Sequence, residues 1–333
     1  MGRWNFLPDE ILLMIFKYLE VNTYNVAKCV DTLLSGLSCL QYGRSTIQSF
    51  EMCQLFFEET WSFFRSSKCL LVDCIAEFLE TQTNVKMLSI HHAFLTPPFA
   101  YRIMKSFERS KSVKTLEVLD LLNYYSIEVT TGVIGKQLRS VCGKCWKLQE
   151  IRLNYSYLSS ANVVDLCEYL EDSLKNLFIF MTSFDYTRGW SIISSDSWKL
   201  ARQACPRLQV YFNFEGWPID AVSFLVPCMP LVELTSRGTQ CRYSTLTFGD
   251  KTTLLLNHLA EGFADTVRSA TFIADAQTCT PPSRDSVIKF LIKCQQVKSL
   301  VFSKQLMTPE LINQVRTENP HNIIKDFTTV KIV

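Results

Sequence analysis

Cys142-Gly143-Lys144-Cys145 is the one C-x-x-C in the chain, a spacing that can hold half of a zinc site or cycle as a dithiol. Zinc needs four ligands, and the four histidines (His91, His92, His258 and His321) stand far from this pair in sequence. A redox pair belongs at the start of a helix that follows a strand. Here Trp146-Lys147-Leu148 comes next, which places the pair between a helix and the following strand. The expected role is two small side chains closing a corner, and a thiol or metal enzyme built on Cys142 and Cys145 is the competing class. His91-His92 offers imidazoles, but no nucleophile and orienting acid can be assigned to them from sequence. They read as the polar end of a strand ahead of a Pro97-Pro98 turn. No catalytic residue, metal ligand or cofactor is expected.

Residues suited to binding another protein are easier to find. Asp185-Tyr186-Thr187-Arg188-Gly189-Trp190 is a polar, aromatic-rich insertion, and Tyr, Trp and Arg dominate interface energetics. Thr235 to Asp250 reads as a second loop of this kind, with Arg237, Arg242 and Tyr243. Tyr186, Arg188, Trp190, Arg242 and Tyr243 are the expected target-binding residues, since repeat proteins place recognition groups on loops at strand ends. The cluster Phe56-Phe57, Trp61 and Phe63-Phe64 is expected to form a core at a domain junction.

The elements that would carry these loops follow from a recurring pattern, apolar-x-x-apolar, often extended by x-apolar. It occurs at Val85-x-x-Leu88-x-Ile90, Val113-x-x-Leu116-x-Val118, Leu148-x-x-Ile151-x-Leu153 and Leu174-x-x-Leu177-x-Ile179. It continues at Leu208-x-x-Tyr211, Leu231-x-x-Leu234, Val267-x-x-Ala270-x-Phe272, Val297-x-x-Leu300-x-Phe302 and Ile324-x-x-Phe327, at roughly 30-residue intervals. Between copies lie helical spacings: Val163, Leu166, Cys167 and Leu170 behind Ser159-Ser160, then Ser286 to Ile292, then Thr308 to Val315. Strand and helix in alternation predict an α/β solenoid of parallel strands. A doubly wound sheet is the other architecture for that alternation, but with 11 glycines there is no phosphate-binding G-x-G-x-x-G or P-loop.

The N-terminal segment is of another kind. Pro8 suits a first helical position, and Asp9 and Glu10 suit the positive end of the helix dipole. Ile11 to Phe16 is then an unbroken apolar run, which covers a helix all round and must be buried on more than one side. A module of about 40 residues has too little core to do this alone, so one side is expected to meet a partner. Leu7-Pro8-Asp9-Glu10-Ile11-Leu12 followed by Ile15-Phe16 and Tyr18-Leu19 resembles the first helix of an F-box. The resemblance implies a small helical module that binds the Skp-type adaptor of cullin-based ubiquitin ligases. It makes Leu7, Pro8, Ile11, Leu12, Ile15, Phe16 and Leu19 the docking set, continued by Val26, Cys29 and Val30 in a second helix. The match departs after residue 20: Val21-Asn22-Thr23-Tyr24 replaces the family's Asp-Leu, and Leu33-Leu34-Ser35 stands where a Trp is usual. Ser197 to Leu208, ending in Phe212-Asn213-Phe214-Glu215, is similar to a segment of certain F-box only proteins with degenerate leucine-rich repeats.

The totals agree with this reading. Of 333 residues 47% are hydrophobic, enough for a folded core, and the length suits two domains or one elongated one. A net charge of +2 gives no footprint for nucleic acid or an anionic membrane. No apolar stretch approaches the roughly 18 residues of a membrane helix, and thirteen cysteines with no signal-peptide pattern predict reduced thiols. The expected organisation is an F-box at 1–48, a helical junction at 49–84 and degenerate leucine-rich repeats at 85–333. The expected function is substrate recognition for a Skp–cullin–F-box ligase in the cytoplasm or nucleus, with the adaptor, the cullin–RING core and a protein substrate as partners. A repeat scaffold without ligase function is the alternative.

Overall fold

The computed structural model describes residues 48–51, 65–126, 129–171, 173–182, 185, 191–215, 221–238, 247–274, 280–317 and 330–332. They fall into two compact units. The first runs to Leu158 and takes Asp165–Lys175; the second takes Ser159–Val164 and continues from Asn176. Among the described residues no helix is long and apolar enough to cross a membrane.

The first unit alternates strand and helix: β1 (Ser49–Glu51), α1 (Arg65–Thr81), β2 (Met87–Ser89), α2 (Pro97–Arg109), β3 (Val118–Asp120), α3 (Thr131–Cys142) and β4 (Glu150–Asn154). Its strands are parallel, each beside its sequence neighbour. After α4 (Ser160–Tyr169), the second unit repeats the scheme with β5 (Asn176–Met181), α5 (Ser195–Ala204), β6 (Gln209–Glu215), α6 (Ala221–Phe224) and β7 (Leu231–Gly238). It ends with α7 (Phe248–Gly262), β8 (Ser269–Ala274), α8 (Arg284–Lys293), β9 (Ser299–Phe302), α9 (Pro309–Thr317) and β10 (Val330–Ile332), again all parallel. Strands that add one after another in sequence order are the solenoid arrangement. A doubly wound sheet reverses its order at a switch point, and neither unit does.

Side chains of a strand alternate between faces, so each unit has a core face and an outward face. Leu88, Leu119 and Ile151 pair in register on the core face of the first unit, followed by buried Ile90, Leu121 and Leu153. The helices cover this face. In α1, Val72, Ile75, Ala76 and Leu79 recur at helical spacing and are buried, and α1 packs on α2. Pro97 and Pro98 occupy the first turn of α2, so they open a helix. Ser159, Ser194, Thr247 and Thr308 each accept a hydrogen bond from a backbone N–H of the helix that follows.

Three expectations need correction. The stretch expected as a helical junction begins with β1, a three-residue strand too short to show a pattern. The second repeat copy is displaced: Leu116-x-x-Leu119-x-Leu121 is the copy that aligns, while Val113 sits in a 3₁₀ turn (Lys111–Lys114). In the fifth copy Val210, Phe212 and Phe214 are buried and Tyr211 points outward. Both slips arise because an apolar residue on the other face satisfies the same spacing. The Ile324-x-x-Phe327 copy lies outside the described residues.

Candidate functional site

The outward-facing strand residues of each unit carry the chemistry. In the first unit, Met87, Val118 and Glu150 form one outward row, and Ser89, Asp120 and Arg152 the next. Asp120 Oδ2 accepts from Ser89 Oγ at 3.2 Å and lies 3.9 Å from His91 Nδ1 and 3.7 Å from an Arg152 nitrogen. Its other oxygen accepts from the Leu122 N–H at 3.1 Å. Arg152 also binds Glu150 at 2.7 Å. Asp120 and Glu150 are therefore both compensated within the chain.

Ser, His and Asp here are the residue types of a hydrolytic triad, and strand pairing brings them together where the sequence did not. Their geometry is not that of a triad. Ser89 Oγ lies 2.9 Å from His91 Nδ1, and that same nitrogen is the one facing Asp120. A proton relay needs serine and acid on opposite ring nitrogens. The cluster is an electrostatic network with Arg152 at its exposed edge.

Above these rows the chain turns through an asparagine ladder. Asn154 Nδ2 donates to Asn123 Oδ1 at 2.7 Å, and the Asn123 N–H donates to Asn154 Oδ1 at 2.6 Å. Asn123 Nδ2 lies 3.1 Å from His92 Nδ1, so a histidine fills the place above it. Asn123 and His92 hold φ of 51° and 55°, a left-handed turn that asparagine tolerates better than most residues.

In the second unit the outward row Phe178, Tyr211, Glu233, Ser269 and Ser299 crosses five strands. The Phe178 and Tyr211 rings stack at 4.3 Å and 15°, and Tyr211 Oη donates to Gln209 at 3.0 Å. A register shift between Val210 and Tyr211 sets Tyr211 opposite Glu233 instead of Val232. Burial pushes the Glu233 carboxyl above its ordinary value. Asn213 stands on this face beside Thr235, and its Oδ1 is shielded from solvent with no hydrogen-bond partner among the described residues.

Cys142 is the last residue of α3, and Cys145 follows in the turn before β4. Both side chains are buried, and burial pushes the Cys142 thiol up to about 12 and that of Cys145 higher still. A reactive cysteine needs the opposite shift. The described residues contain no cluster of three or more His, Cys, Asp or Glu able to hold a metal.

The expected adaptor-docking residues (Leu7, Pro8, Ile11, Leu12, Ile15, Phe16, Leu19, Val26 and Val30) lie outside the described residues. So do Cys29, the expected target-binding residues Tyr186, Arg188, Trp190, Arg242 and Tyr243, and the Phe56 to Phe64 cluster. The edges of both expected loops are described. Thr182 N–H and Oγ donate to the buried Asp185 carboxylate at 2.7 and 3.0 Å. Thr235 to Gly238 belongs to β7, not to a loop, and a Thr247–Asp250 capping box starts α7. Sequence reasoning passed over Ser89, Asp120, Arg152, Phe178, Tyr211 and Glu233. One signal was present: Leu177-Phe178-Ile179-Phe180-Met181 is apolar on both faces of its strand, which marks an outward face built for more than water. No family model matches the chain, and no curated protein matches it either.

Proposed function

We propose that this chain is the substrate-recognition subunit of a Skp–cullin–F-box ubiquitin ligase, working in the cytoplasm or nucleus. The observation that carries the reading is the residue order from Leu7 to Leu19, which predicts a proline-opened helix with an unbroken apolar run at Ile11 to Phe16 and is similar to the first helix of an F-box. The parallel repeat units support it, since their outward faces hold aromatic and charged side chains away from the core. On this reading the chain supplies position and no reacting group. It needs no cofactor, and holding a target near the conjugating enzyme raises the effective concentration of the target lysine.

Co-purification of the full chain with the Skp-type adaptor tests the proposal. The wild type is expected to form a stable complex, and Leu7→Ala with Pro8→Ala is expected to weaken it about tenfold or more, or about 1.4 kcal/mol. No complex with the wild type, or equal binding by the double variant, would overturn it. The second reading, a repeat scaffold without ligase function, is favoured by the departure at Val21 to Tyr24 and Leu33 to Ser35, and it predicts no adaptor complex.

A further inference from the structure

Glu233 is a half-buried carboxylate with no cation set against it among the described residues. It makes no hydrogen bond and no ion pair among the described residues, and burial alone accounts for the upward shift of its pKa. Withdrawing a carboxylate without a partner is costly, and the chain avoids that elsewhere: Asp120, Glu150 and Glu108 all have cationic neighbours. Around Tyr211 three features converge. Phe178 stacks on its ring, Glu233 stands across the strand pair, and Asn213 follows two residues on with its Oδ1 unpartnered.

All three call for the same visitor. Aromatic faces attract a cation, a carboxylate pairs with one, and a shielded amide oxygen needs a donor. A lysine or arginine side chain carries the charge and the multiple N–H groups together. Free inorganic cations lack the N–H donors and the alkyl stem that would lie against the rings. The face continues past the trio through Phe180, Thr235 and Thr271, which gives the flanking residues of a polypeptide a surface to lie on.

We propose that the outward face of the second unit binds a polypeptide segment through a lysine or arginine side chain, seated against Phe178 and Tyr211 and donating to Glu233 and Asn213. This rests on the repeats being the target-binding part of the ligase subunit proposed above.

Random peptides displayed on phage and selected on the immobilised full-length protein test it. The selected peptides are expected to share a Lys or Arg at one position. Replacing that residue by citrulline or acetyl-lysine should weaken binding to the wild-type protein about tenfold, a measurement that leaves the protein untouched. Glu233→Gln should weaken binding to a similar degree while melting no lower than wild type, and Glu233→Lys should select acidic peptides instead. Failure to enrich any peptide, enrichment without a basic residue, or binding indifferent to both replacements would overturn the proposal. A homodimer in sedimentation that Glu233→Lys dissociates would also overturn it, by making a second copy the occupant. Adaptor binding is read separately. If the adaptor binds and the peptides ignore Glu233, only this inference fails; if basic peptides depend on Glu233 and no adaptor binds, only the ligase reading fails.

Discussion

Asn154 clasps Asn123 through two hydrogen bonds of 2.6 and 2.7 Å, one to its backbone N–H and one to its side-chain oxygen. Both residues are buried, so neither bond is exchanged for water when broken. The clasp holds the turn after β3 against the end of β4, and both outward rows of the first unit depend on that register.

Asn154→Ala removes the partner and leaves a buried N–H and a buried carbonyl oxygen unsatisfied. The expected loss is about 2–3 kcal/mol of stability, measured by urea denaturation with an unchanged slope. A loss below about 0.5 kcal/mol would show that the turn holds itself.

Glu108 makes one part of the stability depend on pH. Burial pushes its carboxyl up, but hydrogen bonds from Lys144, Lys105 and Ser140 outweigh this and leave the pKa below the ordinary 4.5. A depressed carboxyl contributes stability above its unfolded value, and that contribution is lost as pH falls through the folded value. Glu108→Gln should therefore cost about 1–2 kcal/mol at neutral pH, since charge-assisted bonds are lost but Lys144 is half exposed and screened. The gap between variant and wild type should close as the pH falls below 4.5. A gap unchanged between pH 7 and acid would overturn the assignment.

Gly249 sits in the first turn of α7, where helix propensity alone favours alanine by about 1 kcal/mol. A Cβ there would collide with the Thr280 carbonyl oxygen and come 2.7 Å from that of Pro281. Backbone cannot yield as a side-chain tip does, so overpacking at about 1–3 kcal/mol should outweigh propensity. Gly249→Ala is expected to lower the melting temperature; a rise would mean that the loop at Thr280 moves aside freely.

Cysteine reactivity separates corner packing from thiol chemistry. With their thiols buried and their pKa values raised, Cys142 and Cys145 should resist alkylation of the native protein at pH 8, while exposed Cys69 and Cys228 react. Peptide mass spectrometry after timed labelling gives the order. Fast modification at Cys142 would revive the thiol-enzyme reading.

The sequence by itself determined where strands and helices alternate, because burying one face of each strand demands apolar residues at set spacings. Leu88, Ile151, Leu177, Leu234, Ala270 and Leu300 were all legible in this way, and all are buried on core faces. So were the helix starts at Ser159 and Thr308, where cap chemistry is local. Spacing does not distinguish faces when both carry apolar residues, and for that reason Tyr211 read as core.

Tertiary structure alone decided which polar groups meet. Ser89 and Asp120 are 31 positions apart, and so are Asn123 and Asn154; helix and loop lengths together bring each pair into register. A one-residue slip in the pairing would turn a strand's outward side chains inward. The setting of Tyr211 opposite Glu233 depends on a single irregularity in the ladder, which no apolar pattern encodes. Core positions are a property of each strand's own alternation, whereas the composition of an outward face is a property of how several strands are aligned.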